Sequence, residues 1–108
     1  MALTRHFRET VQARAQRDVR FRRALLAEAV NELLSGELGA GKALLRDYVN
    51  ATIGFEQLSA EIKRPAKSLQ RMLGPSGNPT AENLVAILKI LQEYESVHIR
   101  VKLDRDAA

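Results

Sequence analysis

Apolar residues return every three or four positions along most of this chain, the spacing that lines up one side of an α-helix. Leu3, Phe7, Val11 and Ala15 form a first stripe among arginines and Glu9. Phe21, Leu25, Ala29 and Leu33, joined by Leu26, Val30 and Leu34, form a second, which Ser35-Gly36 brings to a stop. Leu44, Leu45, Tyr48 and Val49 mark a third helix over about 38–49, closed across 50–54 by β-branched residues and glycine. A chain of 108 residues with 45% hydrophobic content buries one modest core and not two. The helices must share it. The expectation is one all-α domain with N-terminal helices in 1–35, a central region in 36–95 and a tail in 96–108.

Two shorter helical segments, 55–62 and 65–73, follow with only Lys63-Arg64 between them. Pro65 suits the first turn of the second, where its missing N–H costs little. Gly74-Pro75-Ser76-Gly77-Asn78-Pro79 is the strongest loop signal, and Thr80 opens a helix carrying Leu84, Ile87, Leu88 and Leu91 on one side, to about Glu95. That makes about six helices in a compact bundle. Beyond them, Val97, Ile99, Val101 and Leu103 alternate with Ser96, His98, Arg100 and Lys102, the period of a single C-terminal β-strand. A lone strand leaves its backbone groups unpaired, so Val97, Ile99 and Val101 are expected to pair with a second copy or with a different protein. A frayed tail is the alternative.

Composition removes several function classes. There is no cysteine, and His6 and His98 lie far apart, so neither disulfides nor a metal site is expected. No stretch approaches the roughly 20 apolar residues that span a bilayer, and the expected setting is cytoplasmic, without a membrane partner. No Ser/His/Asp or Cys/His set is present, and Asp104 with Asp106 sits near a terminus without a pocket, so neither catalysis nor a cofactor is expected. Gly36-Glu37-Leu38-Gly39-Ala40-Gly41-Lys42 has the spacing of a phosphate-binding loop. Ala43, however, replaces the hydroxyl residue that would hold magnesium, and the segment follows a helix instead of a strand, so a helix-to-helix turn is expected.

The charge is more informative by position than in total. Lys and Arg outnumber Asp and Glu by 17 to 13. Residues 1–23 hold seven arginines against Glu9 and Asp18, whereas 24–62 hold Lys42 and Arg46 against six acids. Of those acids Glu28, Glu32, Glu37 and Asp47 are candidates to face a basic partner, or simply water. No Asp or Glu then occurs between Glu61 and Glu82, while Lys63, Arg64, Lys67 and Arg71 crowd into nine positions. Such a window is either a solvated face or a phosphate-binding footprint.

Its placement favours the footprint. A helix-turn-helix needs two short helices with complementary apolar edges, the second laying its outer face in the major groove. Leu58 and Ile62 supply one edge; Ala66, Leu69 and Leu73 supply the other. Lys67, Gln70 and Arg71 are left together on the outer face, where Arg and Lys donate to guanine and Gln pairs with adenine. Ser68 suits a phosphate or an adaptable base contact, Lys63 and Arg64 suit the backbone, and Ser76, Asn78 and Thr80 offer a phosphate short polar groups at the start of the last helix. An ordinary helical hairpin facing water remains the alternative.

The segments Leu58-Ser59-Ala60-Glu61-Ile62, Lys67-Ser68-Leu69-Gln70-Arg71-Met72-Leu73 and Pro75-Ser76-Gly77-Asn78-Pro79-Thr80, with 41–51 upstream, resemble the addiction-module antidote family of HigA-like antitoxins. The resemblance covers about 36–103 and implies a helix-turn-helix of the lambda-repressor/Xre type in 36–95. It further implies a homodimeric, sequence-specific DNA-binding regulator on a palindromic operator, nucleoid-associated when bound, that represses its own operon and neutralises a RelE/HigB-like toxin. The turn departs from the family pattern, with Lys63, Arg64 and Pro65 where glycine and a Ser or Thr cap are common. The competing expectations are a helical protein-interaction module without DNA binding and a stand-alone Xre-family repressor without a toxin.

Overall fold

The computed structural model describes residues 5–106, without the side chains of Arg5, His6 and Arg8; Leu3 of the first stripe lies outside the described residues. Among them are six helices: α1 (Arg5–Arg17), α2 (Val19–Leu34), α3 (Leu38–Ala51), α4 (Phe55–Ile62), α5 (Ala66–Met72) and α6 (Ala81–Glu95). None is long and apolar enough to cross a membrane. The helix boundaries follow local chemistry. The Asp18 carboxylate caps α2 by accepting from the Phe21 amide at 3.0 Å. The Thr80 hydroxyl oxygen caps α6 by accepting from Asn83 at 3.1 Å. Pro65 is extended, with ψ of 139°, and so stands just before α5 as its N-cap residue instead of inside its first turn.

One core joins all parts. Ala15, Leu26 and Ala29 are buried with Leu45, Tyr48, Val49, Leu58, Leu69, Leu73, Ile87 and Leu91, so 1–35 and 36–95 fold as one unit. The N-terminal stripe joins this core through Ala15, which is fully buried, and Val11, which packs against it, whereas Phe7 is half exposed. The segment resembling a phosphate-binding loop is a helix-to-helix turn, as its context requires. A Cβ on Gly41 would press into the Leu33 side chain and come within 3.2 Å of the Ala29 carbonyl oxygen, so glycine is what lets α3 cross α2 so closely.

The C-terminal strand is not formed. Residues 97–106 form neither helix nor strand: no described residue offers them a second strand, and a ladder needs two. The period of two has a different origin here. Val97 and Ile99 turn inward and pack against the core, while His98 and Arg100 stay in water. The segment lies along α2 as a strap, with Ala27, Val30 and Leu34 lining the groove beside it.

Candidate nucleic-acid interface

Helices α4 and α5 are joined by Lys63, Arg64 and Pro65 alone. Without glycine, the turn places Lys63 in the left-handed region, φ 63° and ψ 45°. That conformation costs a side-chain-bearing residue about 1 kcal/mol. It is held by the Lys63 amide donating to the Ser59 carbonyl at 2.8 Å and by the Ser59 hydroxyl donating to the Arg64 carbonyl. The bonds close the turn and fix the angle at which α5 leaves α4.

Burial then sorts α5. Leu69 and Leu73 are fully buried, and Ala66 packs on the core beside Ile62 of α4. Lys67, Gln70 and Arg71 are exposed, at spacings of three and four that keep them on one face, and Lys63 and Arg64 are exposed in the turn before it. Ser68 is half-buried at the rim. It lines a shallow groove of about 340 Å³ together with Arg71, Met72, Ser76, Gly77 and Asn78. The structure therefore brings Ser68 and Arg71 of α5 and two of the loop residues, Ser76 and Asn78, to one groove.

The third loop residue, Thr80, is differently engaged. Its hydroxyl oxygen is bonded to the Asn83 amide, and Glu82 adds a carboxylate to the same first turn of α6. The first turn of α6 therefore presents a capped amide and a negative charge, whereas Ser76 and Asn78 are exposed before it.

What holds the loop in place was not visible in the sequence. Lys42, buried in α3, donates from Nζ to the Gly77 carbonyl at 2.6 Å, and Arg46, one turn on, donates to the Leu73 carbonyl at 2.6 Å. The two cations cap the C-terminal end of α5 and pin the loop behind it. Gly77 is obligatory in this arrangement: a Cβ there would lie well under 3.0 Å from the carbonyl oxygens of Arg71 and Met72. A cation in the second turn of a helix and a Gly-rich loop far downstream carry no local signal of their pairing.

A second arrangement the sequence did not disclose lies at the C-terminal end of α6. Glu95 is almost wholly buried and accepts from Arg22 Nε at 2.9 and 3.1 Å, from Arg23 Nε at 3.4 Å and from the Tyr48 hydroxyl. Burial alone would push the Glu95 carboxyl up, but the bonds from Tyr48 and Arg22 outweigh it and hold the carboxyl below its ordinary value. The Tyr48 hydroxyl is pushed up by burial and by its bond to that carboxylate. Arg22 and Arg23 belong to the Arg-rich N-terminus, so part of that charge is structural. Asp47 is likewise buried, which removes it from the acidic surface offered to a basic partner; Glu28 and Glu37 remain exposed, with Glu32 half-buried between them. The Glu32 carboxyl is raised by its hydrogen bond with Glu28 and by the neighbouring acids.

No family model, no curated protein and no solved structure matches the chain. Its chemistry has to be argued from its own residues. Among the described residues no cluster of His, Asp and Glu is placed to hold a metal.

Proposed function

We propose that the chain is a sequence-specific duplex-DNA binder that represses its own operon as the antitoxin of a type II toxin-antitoxin module. The observation that carries the DNA-binding part is the outer face of α5. Lys67, Gln70 and Arg71 stand exposed together on the second of two short helices joined by a three-residue turn, with Lys63 and Arg64 exposed beside them and no acid between Glu61 and Glu82. A helix seven residues long fits the major groove, and these side chains are those that donate to guanine or pair with adenine. Lys63, Arg64, Ser68, Ser76 and Asn78 serve the phosphates on either side, and Thr80 serves them only through its hydroxyl proton. The RelE/HigB-like toxin partner and the Xre-type assignment rest on the resemblance across 36–103; Glu28 and Glu32 on α2, with Glu37 at the start of α3, give a basic toxin an acidic surface.

Titration of a duplex library against salt tests the reading. The logarithm of affinity is expected to fall with the logarithm of salt by about 0.9 for each phosphate neutralised, and footprinting is expected to protect a palindrome with half-sites about one helical turn apart. Absence of duplex binding at low salt would assign the chain to the protein-interaction class instead. Co-purification with the product of an adjacent frame encoding a small basic ribonuclease, and loss of that ribonuclease activity on mixing, tests the antitoxin part; a DNA binder that leaves it active is a stand-alone repressor.

A further inference from the structure

The groove between α2 and the C-terminal strap is longer than either cavity within it. One space of about 240 Å³ lies among Arg23, Leu26, Val97 and His98, and a second of about 310 Å³ lies among Val30, Asn31, Leu34 and Val101. Ala27, Ile99 and Arg100 line both, so the two adjoin. On α2 the lining runs from Arg23 to Leu34, about 16 Å at the helical rise. Its walls are largely apolar: Leu26 is buried, Val97 and Ile99 are half-buried, and Leu34 and Val101 stand 68% and 72% exposed on the same groove. Cavities of this volume strung over that length make a slot narrower than a helix, which is about 10 Å across. An unbranched chain fits it.

The rim supplies the sign of the ligand. Arg23, His98, Arg100 and Lys102 border the slot against a single carboxylate, Asp104, which already has Lys102 Nζ at 3.5 Å. Arg23 is shared with Glu95, whereas the Arg100 guanidinium has neither an ion pair nor a hydrogen bond among the described residues. An unpaired guanidinium above an apolar slot discriminates among slim ligands: a neutral chain leaves it without a partner, a cation is repelled, and a carboxylate accepts two parallel N–H bonds from it. We propose that the slot binds an anionic amphiphile, an unbranched acyl chain with a carboxylate head. The head sits between Arg23 and Arg100, and the chain runs along Ala27 and Val30 to Leu34, covering apolar surface that is otherwise open to water. Such a site requires neither DNA nor a second protein chain.

Laurate, kept below its micelle-forming concentration, is the probe, and the full chain is titrated in a calorimeter. Saturable binding of one laurate per chain is expected. Dodecyltrimethylammonium keeps the alkyl chain and reverses the charge, acetate keeps the carboxylate alone, and neither should bind comparably. Arg100→Glu should weaken laurate binding roughly tenfold or more, whereas Arg17→Glu, an equal change of net charge at an exposed position on α1 away from the slot, should leave it within about twofold. Leu34→Ser and Val101→Ser should each weaken it roughly fivefold by removing apolar contact. All four side chains are exposed, so melts of the unliganded variants should match wild type, and laurate should raise the melting temperature of the wild-type protein. Uptake that never saturates, equal binding of the cationic amphiphile, or equal losses in Arg100→Glu and Arg17→Glu would make laurate an adventitious additive only, spread over a basic protein, and overturns the site.

Discussion

Arg22 and Arg71 show the same side chain in two opposite settings. Arg22 is tied to the buried Glu95 carboxylate by two hydrogen bonds and donates again to the Ala15 carbonyl at 3.3 Å. Arg71 stands exposed on α5, in a stretch of chain that contains no acid. The first charge is consumed in joining α2, α3 and α6; the second is available to a polyanion. Counting cations therefore overstates the charge a partner can meet, because Arg22, Lys42 and Arg46 are already engaged on carboxylate or carbonyl oxygens.

The comparison breaks most visibly at Glu95. Glu95→Gln leaves Arg22 and Tyr48 facing a neutral group in a buried site, and should cost about 2–4 kcal/mol of stability. Chemical denaturation measures that loss, and duplex affinity per folded molecule should be unchanged. The folded carboxyl sits below its ordinary 4.5. Its stabilisation is therefore complete above that value and is lost as pH falls through the lower, folded one. Melting temperature should decline on acidification below pH 4.5 more steeply in wild type than in Glu95→Gln. Parallel curves would show that Glu95 does not carry the acid sensitivity.

Gly77→Ala tests whether the loop is positioned from behind. The added methyl meets two backbone carbonyl oxygens that cannot swing aside, so the loop must leave α5, at a cost of roughly 1–3 kcal/mol. The Lys42 bond to Gly77 goes with it. Duplex binding should weaken as well, since Ser76 and Asn78 no longer border Arg71; a destabilised protein with intact duplex affinity would remove the loop from the interface.

Arg71→Ala is the converse case. The side chain touches no acid, so melting should be unaltered, while affinity for the cognate operator falls by about 1–3 kcal/mol and one base position relaxes. Equal loss on every sequence would instead make Arg71 a phosphate contact.

How far this contrast could be read without coordinates depends on the range of each interaction. The outer face of α5 was legible because its periodicity and charge lie within seven residues, and so was the cap at Thr80, which bonds three residues away. Glu95 and Arg22 are 73 positions apart, and Lys42 and Gly77 are 35 apart. No local pattern announces such pairs. The strap shows the intermediate case. Alternation set Val97 and Ile99 apart from His98 and Arg100 and predicted a paired strand, but alternation records only that one side is buried, and here the core beside α2 buries that side without a second strand.

The smallest effect is expected in the turn. Lys63 occupies a left-handed conformation that glycine adopts without steric cost, so Lys63→Gly should relieve strain at that site. Glycine also gains freedom in the unfolded chain, which offsets part of the relief. The net change should be a stabilisation of about 0.5 kcal/mol or less, read as a rise in denaturant midpoint at constant slope. Since Lys63 is exposed and carries one charge, the same variant should lower duplex affinity uniformly across sequences and reduce the salt slope by about one. A variant that gains stability and keeps the full salt slope would show that Lys63 stands in the turn without touching the backbone of the duplex.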